Sequence, residues 1–164
     1  MVETARQDKI VKSDLQKFWG RIESDDGGGD GAYVILLGLE PADNAELVVK
    51  VEEGISYAAL ERFGRNVGLS RESLAELVQI KPRTLDRRKG GRLRPDESDR
   101  VLRAARVFGG AIVLFEGDVD ASRAWLCAPQ RALGGAVPLE MARTEVGARE
   151  VEGLVGRLEH GIFS

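Results

Sequence analysis

From residue 56 to residue 115, apolar residues recur three and four positions apart in four runs, and this spacing predicts four helices. In the first, Ser56 is the cap, Tyr57, Leu60, Phe63 and Val67 share one side, and Gly68 closes the run. Ser70 caps the second, in which Leu74, Leu77 and Val78 face a common core, and Val78-Gln79-Ile80 makes a turn. Pro82 suits the first position of the third, where a missing N–H costs nothing. Leu85 is that helix's inward anchor and Gly90-Gly91 stops it. Pro95 opens the longest run, with Asp96 and Glu97 in the first turn, where carboxylates favour the helix dipole. Its core stripe is Val101, Leu102, Ala105, Phe108, Ile112 and Phe115. Gly109-Gly110 weakens the middle by about 1 kcal/mol per glycine relative to alanine, so a bend or a close helix approach is expected there.

On the C-terminal side the pattern continues in shorter pieces. Asp118 caps a helix with Ala121, Ala124, Trp125 and Leu126 apolar, Pro129 ends it, and residues 131–135 turn the chain. Pro138 starts a brief helical piece. Thr144 caps the final helix, whose apolar positions are Val146, Val151, Leu154, Val155 and Leu158, and Gly161 stops it. On the N-terminal side, Leu15, Phe18, Trp19 and Ile22 predict a short helix, and residues 24–31 (SDDGGGDG) read as a flexible linker. No Gly-Lys-Ser/Thr follows those glycines, which argues against a phosphate loop. The run 33–39 (YVILLGL) suits either a strand or one buried helical turn and is read as a docking or self-association segment. Residues 47–51 suit a helix or a short strand. The fold class is mainly α, with a variable extension over 1–44, a helix-turn-helix domain over 45–115 and a small helical domain over 116–164.

Charge changes this picture at one place. The chain of 164 residues has a formal net charge of -3, so it is not a basic coat protein. Nine acids and one base lie between Glu23 and Glu53, whereas residues 81–94 hold seven cations against the single acid Asp86. A helix pair whose second member carries cations and hydrogen-bonding side chains is the grammar of major-groove recognition. Lys81, Arg83, Thr84, Arg87, Arg88 and Lys89, expected to point outward, are therefore the candidate DNA-binding residues, with Arg92 just after the helix. The competing reading is a solvated basic face. A short helix-turn-helix module needs two copies to read a site, so a homodimer is expected.

Other chemistry is sparse. One cysteine (Cys127) excludes an intramolecular disulfide and suits a reducing cytoplasm, and with one histidine (His160) it cannot build a structural zinc site. A lone cysteine is usually a small buried hydrophobe, and nothing ties Cys127 to His160 as nucleophile and base. Glu116, Asp118 and Asp120 are explained by a helix cap and solvated acids without a metal. No cofactor, metal or catalytic residue is expected. Neither a signal peptide nor a membrane-spanning apolar run is visible, so a soluble cytoplasmic protein is expected.

Residues 115–164 resemble the toxin-binding domain of the Xre/MbcA/ParS antitoxins. The matching features are Trp125-Leu126 with Pro129 after it, Leu133-Gly134-Gly135, Pro138-Leu139, Glu145 with Gly147, and Arg157-Leu158-Glu159-His160-Gly161. Upstream, residues 84–89 (TLDRRK) match the family's Xre-like helix-turn-helix, and the resemblance covers roughly 56–164. It implies an antitoxin of a type II toxin–antitoxin pair. Such a protein blocks a RES-domain toxin that depletes NAD, and binds its own operator as a dimer or larger assembly. A free-standing repressor without a toxin shares the helix-turn-helix and is the alternative. The candidate toxin-binding residues lie on the last helix and the tail. Arg149, Glu152, Arg157 and Glu159 are its expected exposed charges, and His160 sits at its end. Ile162, Phe163 and Ser164 form a tail too short for a core of its own, in which burial of Ile162 and Phe163 would contribute about 1.5–3 kcal/mol each. Trp125 fits a core position better than a contact.

Overall fold

A computed structural model describes residues 31–40 and 43–161. The helix expected within residues 1–22, most of the glycine linker, and Ile162, Phe163 and Ser164 lie outside the described residues. Every regular element among the described residues is helical. In chain order these are α1 (Ala32–Leu37), α2 (Asn44–Glu53), α3 (Tyr57–Val67), α4 (Arg71–Leu77), α5 (Pro82–Arg88), α6 (Pro95–Leu114) and α7 (Val119–Leu126). A 3-10 turn (Arg131–Leu133), α8 (Pro138–Met141) and α9 (Glu145–Glu159) follow.

The helix starts follow local chemistry. The side chains of Asp43, Ser56, Ser70, Asp118 and Thr144 each accept a hydrogen bond from the N–H three residues on, and so satisfy a donor the helix leaves orphaned. Pro82, Pro95 and Pro138 occupy first helical turns.

Helix α6 is the axis of the molecule and is packed by α1, α2, α3, α7 and α9. Val101, Ala105, Phe108 and Ile112 of its expected stripe are fully buried, and Phe63 of α3 meets Phe108 edge-on with ring centroids 5.7 Å apart. Phe115, also expected in the stripe, caps the helix and is only half-buried.

Two expectations change here. The apolar run 33–39 does not stand out as a docking segment. Its helix α1 buries Ala32, Leu36 and Leu37 in the chain's own core, where the amide of Asn66 donates to the Leu36 carbonyl at 2.9 Å. Gly109 is what lets α1 approach. A β-carbon at Gly109 would lie 3.0 Å from the Tyr33 nitrogen, so the expected close approach is present and α6 runs unbroken through it. The second change is Val146, which is 76% exposed although it was expected on the apolar face of α9. Gly147 and Ala148 are buried in its place, because the face turned to α6 begins one residue later.

Candidate nucleic-acid interface and C-terminal surface

Helices α4 and α5 are joined as the residue pattern requires. Val78 ends α4, Gln79 adopts a left-handed conformation (φ 53°), and the Ile80 N–H returns to the Ala75 carbonyl at 3.0 Å. Lys81 then leads into Pro82 at the start of α5. Leu85, 1% exposed, seats α5 on the core.

That anchor sorts the cations. Lys81, Arg83, Arg87 and Lys89 are exposed, and Thr84 is half-buried with its hydroxyl accepting from Arg87 at 3.4 Å. Lys81 and Arg83 make no ion pair among the described residues. Lys89 lies 3.3 Å from Asp86, which also receives Arg71 of α4. The hydrogen bonds from Arg71 and then Lys89 hold the Asp86 carboxyl below its ordinary range. The one acid of α5 is thus ionised and neutralised by its neighbours.

Arg88 is the correction. It was expected to point outward, but it follows Leu85 by three residues and so lies toward the body. Its guanidinium forks onto Glu97 of α6, with Nε and Nη2 each 3.1 Å from a carboxylate oxygen. Glu97 is 5% exposed and also accepts the Arg94 N–H at 2.8 Å. Burial alone would raise its carboxyl, but the bonds from Arg88 and the Arg94 backbone outweigh that and hold it low. Arg92 is likewise engaged, donating to the Gly54 carbonyl at 2.8 Å. Gly54 itself has φ 91°, and a β-carbon there would overlap the Leu93 carbonyl oxygen.

In the middle of α6, Arg103 and Arg106 bind α9. Arg106 reaches Glu152 at 3.0 Å and Glu145 at 3.1 Å, and Arg103 reaches Glu145 at 3.2 Å. Glu152 was expected to be an exposed charge, but it is half-buried because Arg106 holds it. Arg149, also paired to Glu145, is exposed, as are Arg157, Glu159 and His160, which caps the C-terminus of α9.

Cys127 is exposed, not a buried hydrophobe. It lines an open groove of about 230 Å³ between α4 and the chain around α8, shared with Leu69, Leu77, Leu139 and Arg143. Trp125 is half-buried, packed on the core with Phe115 6.2 Å away between ring centroids. Asp118 caps α7 and Asp120 pairs with Arg123 at 2.7 Å. Among the described residues no three His, Cys, Asp or Glu side chains are grouped to hold a metal, and no helix is long and apolar enough to cross a membrane.

Known proteins share both halves of this arrangement. Residues 46–106 match the antitoxin Xre-like helix-turn-helix domain, and residues 103–161 match the antitoxin Xre/MbcA/ParS C-terminal toxin-binding domain. An antitoxin Xre of Yersinia enterocolitica is 35% identical over 130 residues, covering 78% of this chain and 88% of the relative. An antitoxin Xre of Photorhabdus laumondii is 32% identical, with the same coverage of 78% and 88%. A Prs ADP-ribosylating antitoxin of a Sphingobium species is 25% identical over 143 residues, covering 81% of this chain and 88% of that one. The helix-turn-helix that presents Arg83 and Arg87, followed by the helical toxin-binding domain clamped to α6, places this chain in the Xre/MbcA/ParS antitoxin family.

Proposed function

We propose that this chain neutralises a RES-domain toxin that depletes NAD, and binds the operator of its own operon to repress transcription. It acts in the cytoplasm as a homodimer or within a larger toxin–antitoxin assembly, and catalyses nothing itself. The observation that carries the DNA half is the exposed face of α5, where Lys81, Arg83 and Arg87 project from a helix seated on the core by Leu85. Thr84 and Lys89 flank that face. A positive, rigidly held helix of this kind meets phosphates and base edges together.

The toxin half belongs to the C-terminal domain, taken as 116–164, with the helix-turn-helix domain at 45–115 and residues 1–44 leading into it. Arg149, Arg157 and Glu159 offer orienting charges, His160 a hydrogen-bonding ring, and Ile162 and Phe163, with Ser164 after them, an apolar end. The planar fork of Arg157 suits a carboxylate, such as the acids with which NAD sites hold ribose hydroxyls, or a phosphate of NAD itself. One relative's name joins an antitoxin to ADP-ribosylation, and ADP-ribosyl groups derive from NAD. Glu152 contributes only through Arg106, which already holds it.

Co-expression with the product of the neighbouring gene tests this reading, alongside a gel shift on the operon's promoter fragment. A stable complex that restores growth, plus a shift lost in the R83A/R87A variant, is the expected result. A promoter shift with no complex would instead identify a free-standing repressor.

A further inference from the structure

We propose that one face of α6, formed by Glu97 and Arg100, sets the pose of the DNA-reading helix, and that Arg88 is a strut and not a reader. The inference rests on the operator-binding reading above. It adds two positioning residues, Glu97 and Arg100, that lie outside the cationic segment.

The geometry has three parts. Arg88 closes α5, and its forked bond to Glu97 fixes that end of the helix to the first turn of α6. Two parallel N–H···O bonds restrict both distance and rotation, which a single contact does not. Glu97 is held in turn by the Arg94 N–H, so the carboxylate is not free to follow Arg88 elsewhere. One turn along the same face, Arg100 donates from Nη1 to the Gln79 carbonyl at 3.0 Å. Gln79 is the left-handed residue of the turn that leads into α5. Arg100 is itself braced by Asp96, through the carboxylate at 3.1 Å and the backbone carbonyl at 3.2 Å. Both ends of α5 are therefore referred to the same rigid helix. A recognition helix must present its side chains within a fraction of an ångström to read base edges, so its supports control affinity without touching DNA.

Electrostatics separates a strut from a reader. A cation that meets a phosphate releases a counterion, and its removal lowers the slope of log affinity against log salt by about 1. Arg88 already has its charge matched by Glu97, so its loss leaves that slope nearly unchanged.

The test measures promoter-fragment affinity of the full chain across a salt series for R83A, R87A, R88A, E97Q, R100M and R88A/E97Q. Circular dichroism checks folding, and E97Q and R100M, close in length to the native side chains, carry the test if R88A does not fold. R83A and R87A are expected to lower the slope. R88A, E97Q and R100M are expected to weaken binding on the order of tenfold at an unchanged slope, and R88A/E97Q no further than the worse single variant. A lowered slope in R88A, or additive losses in the double variant, would show Arg88 meeting DNA and overturn the proposal. Wild-type affinity in E97Q and R100M would overturn it too. Should R83A and R87A bind as well as wild type, the assignment of α5 to DNA fails instead.

Discussion

Arg106 of α6 and Glu152 of α9 are joined at 3.0 Å although 46 residues separate them, and the same guanidinium takes Glu145 at 3.1 Å. Two helix turns of α9 are thereby fastened to the helix that also supports α5. Arg106 is half-buried, and its acids are partly open to solvent. Each bond is therefore weaker than a buried one.

Replacing Arg106 with alanine is expected to destabilise the chain by about 1 kcal/mol, with E152A costing less. The double variant should fall short of the sum, because both remove one shared bond. Urea denaturation of the four proteins gives the coupling, and strict additivity would show that the pair contributes nothing.

Gly109 and Gly156 should respond to alanine with opposite signs. At Gly109 the new β-carbon would press on the Tyr33 nitrogen at 3.0 Å and the Ala32 β-carbon at 3.2 Å, displacing α1. The expected loss is about 1–3 kcal/mol, which exceeds the gain in helix propensity. At Gly156 nothing lies within 4 Å, so G156A should gain about 0.5–1 kcal/mol. Denaturation midpoints moving in the same direction would refute the close approach of α1.

Acid should weaken the fold through Glu97 and Glu145. Burial pushes both carboxyls up, yet the arginine hydrogen bonds prevail and hold both below their ordinary range. A carboxyl with a lowered folded-state value stabilises above the unfolded value, near pH 4.3, and loses that contribution as pH falls through the folded value. Stability should therefore decline below about pH 4.5 and decline less steeply in E97Q or E145Q, by at most about 1.4 kcal/mol per pH unit. Thermal melts from pH 6 to pH 3 measure it, and parallel curves for wild type and variants would count against both ion pairs.

Removing residues 157–164 should abolish toxin neutralisation and leave promoter binding within about twofold, since the α4–α5 pair lies far upstream in the chain and effects at independent sites do not propagate. Growth on toxin co-expression is read beside a gel shift. Protection by the truncated chain at equal abundance would mean that the tail is not the inhibitory element.

Much of the fold was legible because its signals are local. The caps at Ser56, Ser70, Asp118 and Thr144 act on an N–H three residues away, and Leu74, Leu77, Leu85 and Val101 sit where helical spacing puts them. The cationic character of α5 was equally plain, as was the family, whose motifs lie in order along the C-terminal half. Periodicity, however, states which residues share a face and not what that face meets. Arg88 could have been suspected from its place three residues after Leu85, but nothing in composition names Glu97, nine residues on, as its partner.

The residues alone determined where the helices begin, which helix carries the cations, and which family the chain joins, since each depends on neighbours within a turn or two or on a linear motif. Tertiary structure decided the rest. It turned Arg88 inward, bound Glu152 to Arg106, exposed Cys127 and Val146, and placed 32–37 in the core against Gly109. The physical reason is that an ion pair or a close helix crossing is fixed by the meeting of two distant segments, and a long charged side chain takes whichever partner that meeting supplies.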